Sequence, residues 1–277
     1  MKVGIFLFVL LFAPDAAAWG LQTHVFLAQW LLAAAPFADP QIRAAALRLP
    51  RLVLAGACLP DLALAGRMIG VRTFRRAHQW STLHRLATTC WDEERAIAVG
   101  YASHLLADVV AHNRFVPEHE RRIVDVPHVT HAICEWAMDE HLKKGLTVKP
   151  ADLLRSERPM VEQTVARTFG CRQALAGRTI RVLAGAEWAL RASPLPRLCR
   201  RVVDFFDLEV VPRFDAYIGD ASALVRRIEA VLHGEVPRWQ PEPEGNAPAD
   251  AAAAQAMRNE APAIRPPSAP PAITSLG

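Results

Sequence analysis

The stretch GYASHLLADVVAHNRF, from Gly100 to Phe115, decides how the rest of the chain is interpreted. Its apolar residues recur three and four positions apart, which predicts a helix. His104, Asp108 and His112 follow at steps of four, so each lies about 6 Å along the helix axis from the next, on one slowly drifting stripe. The surrounding leucines and valines fit poorly with a solvated polar face. The stripe is therefore either a set of core histidines paired with an aspartate or a row of metal ligands.

The same helical periodicity covers most of the chain. Between Gly20 and Gly234 it is seen in THVFLAQWLLAAA, AIAVGYASHLLADVVAH, HAICEWAMDEHLKKG, IRVLAGAEWALRA and ASALVRRIEAVLHG. Alternating strand patterns are scarce, and breakers such as FVPEHE and TVKPAD separate the helical segments. The sequence predicts an all-α fold, a single multi-helix domain of roughly eight to ten helices over residues 19–240.

Residues 1–18 have the features of a signal peptide. Lys2 precedes an apolar run from Val3 to Ala13, which is too short to span a bilayer as a helix. Ala16, Ala17 and Ala18 supply the small-residue pattern of a cleavage site. Cleavage there makes Trp19 the first residue and predicts a protein exported to the periplasm or secreted. An uncleaved anchor is the alternative.

Composition limits the remaining choices only loosely. Hydrophobic residues make up 52% of the 277 residues, and the formal net charge is +4. This basic excess suits contact with anionic phospholipid or with nucleic acid and singles out neither. The five cysteines show no CxxC spacing, which argues against a structural zinc ribbon. Residues 241–277 are rich in Pro and Ala, which predicts a disordered tail without a further folded domain.

A second pair of candidate ligands lies on the segment HAICEWAMDEH. There His131 and Glu135 repeat the four-residue spacing, which by itself is also typical of a solvated pair. Zinc sites in helical bundles take ligands from facing helices. If the helix of His104 binds metal, ligation therefore explains His131 and Glu135 better than a solvated pair does. His128 and Asp139 flank the pair and are candidates for orienting a ligating imidazole.

Further donors lie nearer the N-terminus. A Trp19 that begins the mature chain would offer its α-amine and carbonyl, and His24 is close enough in sequence to complete that site; otherwise both residues pack in the core. Asp61 follows Pro60 in a turn, where it either points into a cleft or caps a helix. His78 and His84 are six residues apart and fall on different helix faces, so one of them joins a common site.

The order of these residues resembles the zinc-dependent phospholipase C family and, more distantly, the single-strand-specific zinc nucleases of the same superfamily. The resemblance covers roughly residues 19–141 and follows a signal peptide that would expose the tryptophan. Its elements are Trp19, His24, Asp61, a following histidine, His104, Asp108, His112, His131 and Glu135. Together, in this order, they are far more specific than any one of them.

The resemblance implies a fold with zinc ions in a cleft. By that resemblance, one ion would be held by Trp19 and His24. The second would be held by Asp61, His78 and His104, and Asp108 would bridge the two. His78 is preferred because its spacing from Asp61 is nearer to that of the family, with His84 as the alternative. The set is thus two or three zinc ions, depending on the third site.

The third ion would be held by His112, His131 and Glu135. Here the sequence departs from the best-known secreted members, in which the last histidine of the first helix lies six residues after the aspartate. His112 lies four residues after Asp108, and a shift of two residues turns a side chain by about 200° on a regular helix. The departure puts the position or the presence of the third ion in question.

The implied activity is phosphodiester hydrolysis. The resemblance predicts a phospholipase C that converts glycerophospholipids to diacylglycerol and a phosphorylated head group, with Asp61 as both ligand and catalytic proton acceptor. Its partner would be phospholipid substrate or a membrane surface, with nucleic acid less favoured because the nuclease branch usually has aspartate where Glu135 stands. The alternatives are a single-strand nuclease or nucleotidase with the same metal site and a non-catalytic secreted zinc-binding helical protein.

Overall fold

The computed structural model describes residues 20–34, 37–88, 91–115, 118, 127–206 and 209–241, and within 127–131 it describes the main chain only. These ranges contain thirteen α-helices and no β-strand, so the all-α prediction is confirmed. The helices are α1 (Leu21–Ala34), α2 (Pro40–Arg48), α3 (Pro50–Gly56), α4 (Leu62–Met68), α5 (Trp80–Ala87), α6 (Asp92–Val110), α7 (Pro127–Leu142), α8 (Pro150–Ser156), α9 (Arg158–Phe169), α10 (Gln173–Ala192), α11 (Leu195–Phe206), α12 (Val210–Val225) and α13 (Ile228–Leu232).

The number of helices exceeds the sequence-based expectation because several helical segments are divided into short helices. Proline stands at the first position of α2, α3, α7 and α8, where its missing N–H and fixed φ favour a helix start. Asp39 caps α2, since its carboxylate accepts hydrogen bonds from the main-chain N–H of Gln41 at 2.7 Å and of Ile42 at 3.1 Å. Proline and cap residues of this kind begin a new helix without altering the overall apolar pattern.

Much of the hydrophobic core is built around α6. Three acidic residues occupy its first turn, where they interact favourably with the helix dipole. From Ala96 to Val110 every residue is buried. Helices α1, α2, α3, α5 and α12 pack around it. The helix that carries His104 and Asp108 is therefore the centre of the fold, which excludes the solvated-face interpretation of its polar stripe.

Helices α3 and α6 cross with their main chains in contact. A Cβ atom on Gly100 would lie 1.8 Å from the carbonyl oxygen of Val53, and one on Gly56 would lie 2.3 Å from that of Ile97. Neither distance permits a side chain, so both positions require glycine. The contact places the turn that follows α3, including Ala57, beside the second half of α6.

The regular helix α6 does not continue to the end of the quoted stretch. Ala111–Phe115 forms a π-helical turn instead, a feature frequent at functional sites. His112 lies within this turn. Its position relative to Asp108 is therefore not that of a straight α-helix, on which the sequence analysis relied.

Several predicted features fall outside the described residues. They are the signal peptide 1–18, Trp19 and the tail beyond residue 241. Within the described ranges, no helix is both long enough and apolar enough to cross a bilayer. No disulfide joins the four cysteines of these ranges, Cys58, Cys134, Cys171 and Cys199.

Candidate metal centre

Four segments of the chain bring five predicted ligands together in the interior. They are α1, the turn before α4, the turn before α5, and α6. The residues are His24, Asp61, His78, His104 and Asp108, here called the inner donor cluster. Each is at most 6% exposed. Candidate ligand atoms form two groups of three around the shared His104, within 4.8 Å of one another: His24, His104 and Asp108 in one, and Asp61, His78 and His104 in the other.

His104 is contacted at both of its ring nitrogens. Its Nδ1 lies 2.7 Å from the carbonyl oxygen of Ala57, so Nδ1 carries a proton and donates it to this oxygen. Its Nε2 lies 2.9 Å from Asp108 Oδ2 and 3.3 Å from His78 Nε2. In the neutral ring this Nε2 is an acceptor, and it faces two other groups that also offer lone pairs.

The remaining members face the same space. His78 Nε2 lies 3.5 Å from both Asp61 Oδ1 and Asp108 Oδ2. His24 Nε2 lies 3.3 Å from Asp108 Oδ1, and the His24 ring stacks on that of His104 with centroids 3.5 Å apart. Three imidazole Nε2 atoms are thus directed at two carboxylates, and Asp108 receives them on both of its oxygens.

This donor set fits divalent metal ions. Asp61 Oδ1 and both oxygens of Asp108 are buried without a hydrogen bond from the described residues, and buried carboxylates are normally paired with hydrogen-bond donors or bound to metals. A second proton on His104 would serve only one of the two acceptors that its Nε2 faces. Imidazole nitrogen and carboxylate oxygen are usual zinc ligands, and cations between them would satisfy all of the facing lone pairs.

These positions bear on two alternatives that the sequence left open. Asp61 precedes the first residue of α4, yet its side chain makes no capping hydrogen bond and its carboxylate lies in the cluster. His84 is half-buried on α5 and belongs to neither group of candidate ligands within the described residues. His78 is the histidine that joins Asp61.

In the metal-free protein, burial and mutual repulsion raise the pKa of carboxyl groups in this region. Burial raises the pKa of Asp108, and the nearby His104 and His78 partly lower it. Burial also raises the pKa of Glu135 well above its usual value, and the negative charges of Asp61, Asp139 and Asp108 add to this effect. Glu135 therefore lies within electrostatic range of the inner donor cluster, where a cation would favour its ionised form.

Among the described residues, the Asp139 carboxylate contacts Thr23 and Arg191. Its carboxylate forms an ion pair with Arg191 and accepts hydrogen bonds from the main-chain N–H and the hydroxyl of Thr23, at 2.9 and 2.7 Å. Arg191 Nε also donates to Glu187 at 2.8 Å. Burial raises the pKa of Asp139 and of Glu187, and the guanidinium of Arg191 lowers both.

The Glu187–Arg191–Asp139 chain of contacts fixes the beginning of α1. Asp139 contacts Thr23, which directly precedes the cluster residue His24. A Cβ on Gly20 would lie 2.0 Å from the Asp139 carboxylate, so the main chain at Gly20 runs directly against it. Asp139 thus positions the first turn of α1 and, through it, His24.

The other predicted ligands are not assembled within the described part of the chain. His112 is half-buried in the π-helical turn and Glu135 is buried on α7, but neither belongs to a described group of three candidate ligand atoms. The side chain of His131 lies outside the described residues, as does Trp19. These residues remain predicted ligands.

One further group of acids and a histidine lies elsewhere on the molecule. Asp39, Glu229 and His233 approach one another at the surface. Their carboxylates already accept main-chain hydrogen bonds, from Gln41 and Ile42 to Asp39 and from Ala38 and Asp39 to Glu229. Ordinary packing of the start of α2 explains this group.

Sequence reasoning missed three contributors to the site. The carbonyl of Ala57 has no side-chain signature and could not be identified. Glu187 and Arg191 are four residues apart in AEWALRA, a spacing typical of a surface ion pair, and only their burial reveals a different role.

The family comparison agrees with this geometry. A family model described as zinc dependent phospholipase C matches residues 23–169, which is more than half of the chain and contains every member of the inner donor cluster. No curated protein matches significantly. No solved structure matches significantly either. Donor chemistry, helical fold and family model lead to one conclusion: the chain belongs to the zinc-dependent phospholipase C family.

Proposed function

We propose that this protein hydrolyses glycerophospholipids to diacylglycerol and a phosphorylated head group. One observation carries the proposal: three imidazole Nε2 atoms are directed at two buried carboxylates while the Nδ1 proton of His104 is held by Ala57. A site of this composition suits adjacent divalent ions, and adjacent ions suit phosphodiester hydrolysis. Membership of a zinc-dependent phospholipase C family supports the same reaction class.

The ligands divide over the ions as follows. Asp61, His78 and His104 hold one zinc ion, in agreement with their grouping around His104. His24 would hold the second together with the main chain of Trp19, and Asp108 would contribute its carboxylate to both. His112, His131 and Glu135 hold a third ion. The proximity of Glu135 to the charges of Asp61 and Asp108 supports this last assignment.

When bound, zinc lowers the pKa of water towards neutrality and acts as a Lewis acid towards phosphoryl oxygens. Asp61 would act as general base as well as ligand, because its carboxylate lies among the donors that would hold zinc. The Ala57 carbonyl keeps the His104 ring in a fixed orientation. Asp139 and Arg191 hold the first turn of α1, so that His24 stays directed at Asp108.

The ends of the chain belong to the same proposal. Residues 1–18 are removed on export, Trp19 becomes the first residue, and residues 241–277 form a disordered tail outside the 19–240 catalytic domain. Gly20 runs against the buried Asp139, and α1, which begins at the next residue, carries His24. This position supports a role for the Trp19 amine at the metal site.

Two measurements test the proposal. The zinc-loaded, exported protein is assayed on phosphatidylcholine in detergent micelles and on single-stranded DNA, and its metal content and N-terminal residue are determined. We expect diacylglycerol release, two or three zinc ions per chain and an N-terminal tryptophan. Cleavage of DNA without lipid hydrolysis would establish the nuclease alternative. Bound zinc without turnover of either substrate would establish the non-catalytic one.

A further inference from the structure

A segment of unusual charge joins two members of the inner donor cluster. Between Asp61 and Asp92 the sequence contains five arginines and no Asp or Glu. Four of these arginines fall within residues 67–76, here called the arginine loop. They are Arg67, Arg72, Arg75 and Arg76. The loop leads from the end of α4 towards His78, so both of its ends are connected to candidate metal ligands.

The positive charge of the arginine loop is exposed. All four arginine side chains are solvent-exposed. Arg72, Arg75 and Arg76 form no ion pair with the residues that the structure describes. Because no described acid neutralises these three guanidinium groups, their field is available to an anionic partner.

The loop is held in place beside the site. Phe74 is fully buried and packs edge-on against Phe169, with ring centroids 5.0 Å apart. Near the end of the loop, Ala77 accepts a hydrogen bond from the Tyr101 hydroxyl. Since consecutive Cα atoms are about 3.8 Å apart, the Cα of Arg75 lies within about 11 Å of that of His78. The exposed charge therefore lies close to the inner donor cluster.

Apolar side chains are exposed among the arginines. Met68 is 55% exposed and Ile69 is partly exposed. Gly70 follows with a φ of 72°, and a Cβ built there would contact nothing within 4 Å, so this turn projects into solvent. Basic residues next to exposed apolar residues are typical of segments that lie in the interface of a bilayer.

The same segment is poorly suited to nucleic acid. Single-stranded nucleic acids bind basic grooves in which aromatic rings stack on the bases. Phe74 is the one aromatic residue in the sequence of the loop, and it is fully buried. A loop with exposed arginines and methionine but no exposed ring favours a lipid surface.

We propose that the arginine loop binds the surface of bilayers that contain anionic phospholipid. Its guanidinium groups bind lipid phosphates, and Met68 enters the boundary between head groups and acyl chains. This contact delivers lipid phosphodiesters to the adjacent inner donor cluster, a consequence that rests on the proposed function, whereas membrane binding itself requires no turnover.

Vesicle sedimentation tests the proposal. The full exported protein is mixed with vesicles of phosphatidylcholine alone or with about one third phosphatidylglycerol, and the bound fraction is measured over a range of lipid concentrations. We expect at least tenfold tighter binding to the anionic vesicles, weakening as salt is added. Each arginine near an anionic leaflet contributes about fivefold in affinity. The triple variant R72Q/R75Q/R76Q is therefore expected to bind them at least about 30-fold more weakly than the wild type.

A control of equal charge separates the loop from net charge. The variant R178Q/R197Q/R201Q also removes three exposed arginines, all from α10 and α11, and is expected to bind the anionic vesicles within about threefold of the wild type. Met68→Ser is expected to weaken binding about three- to tenfold without changing the salt dependence. Equal losses in the two triple variants, or none in the loop variant, would overturn the proposal. All variants are compared at matched thermal stability.

The outcome is independent of the proposed function. Zinc content and hydrolysis of lipid in detergent micelles report on the metal site, whereas sedimentation reports on the loop. If the wild type binds a fluorescent single-stranded oligonucleotide more tightly than anionic vesicles, and the loop variant loses that binding, the loop is a nucleic-acid surface and the lipid proposal is wrong.

Discussion

The two halves of the predicted ligand set lie on different kinds of helical segment. The inner donor cluster combines residues from four segments, and three histidine nitrogens lie within 3.5 Å of carboxylate oxygens. The second half consists of His112 on a π-helical turn and His131 and Glu135 on α7. Of these residues, the buried Glu135 lies within electrostatic range of the inner donor cluster.

The helical segments that carry the two halves differ in regularity. His104 and Asp108 share the central helix α6, and a main-chain carbonyl fixes the His104 ring. His112 lies beyond the last regular turn of the same helix, and α7 begins only after a segment outside the described residues. Ligands on one buried, regular helix have defined relative positions before metal binds.

The largest predicted effect is on the inner donor cluster. Asp108→Asn removes the bridging carboxylate charge, and we expect activity to fall more than about 1000-fold, since the ions supply several kcal/mol of transition-state stabilisation. Zinc content should fall together with activity. The exposed Asp152→Asn serves as the control and should retain both. Full activity in the Asp108 variant would contradict the ligand scheme.

The next effect reaches the same cluster through the start of α1. Arg191→Met leaves Asp139 and Glu187 buried without their cation, which costs about 3–5 kcal/mol of unfolding free energy. The surface pair of Arg48 and Asp92 offers the control, and Arg48→Met should cost less than about 1 kcal/mol. Urea unfolding of the zinc-loaded proteins measures both. Equal losses would show that the buried contacts of Arg191 have no special role.

The pH dependence of the Arg191 variant has a defined sign. Burial raises the pKa of Asp139 and of Glu187 and Arg191 opposes that rise, so the variant raises both pKa values further. A carboxyl group with a raised pKa in the folded state stabilises the fold at low pH and loses this contribution as pH increases. Arg191→Met should therefore lose more stability at pH 8 than at pH 5. A loss independent of pH would contradict this cause.

A smaller effect is expected at the second half of the ligand set. If the proposed third ion is present, Glu135→Gln should remove one zinc ion per chain and lower activity about 10- to 100-fold, because the ligands of the inner donor cluster are unchanged. Glu140→Gln on the same helix is the control. Metal analysis by mass spectrometry measures the stoichiometry. If Glu135→Gln leaves zinc content unchanged, the protein holds only the inner ions.

The smallest effect is expected at His84. Because this histidine lies outside both groups of candidate ligands within the described residues, His84→Ala should change zinc content not at all and activity by less than about twofold. His78→Ala, in contrast, should lose a zinc ion. Isothermal titration of the metal-free variants with zinc compares the two. Equal zinc affinities in both variants would contradict the assignment of His78.

The sequence was sufficient to predict the all-α fold because the apolar periodicity of three and four is a local property. It also identified which residue types would meet, since His104 and Asp108 must share a helix face at a spacing of four. The family spacing favoured His78, but the residues by themselves left His84 as an alternative, because that choice depends on where the loop after α4 returns to the core. It also could not predict the π-helical turn at His112, whose geometry depends on the packing of the end of α6.

The role of Asp139 shows a different limit. Its position four residues after Glu135 suggested an interaction with ligands, but its partners, Thr23 and Arg191, are 116 and 52 residues away in sequence. Long-range pairs of this kind leave no signal in a single sequence. Burial and opposite charge identify them only once the fold is known.

The crossing of α3 and α6 has a consequence for the chemistry of the metal centre. Because Gly56 and Gly100 have no side chains, the two helices approach closely enough for the Ala57 carbonyl to reach His104. Two absent methyl groups thereby select one tautomer of an imidazole and leave its second nitrogen ready for a metal without prior deprotonation at that atom. A methyl group on either glycine would therefore change which nitrogen of His104 carries the proton, although neither glycine is a ligand.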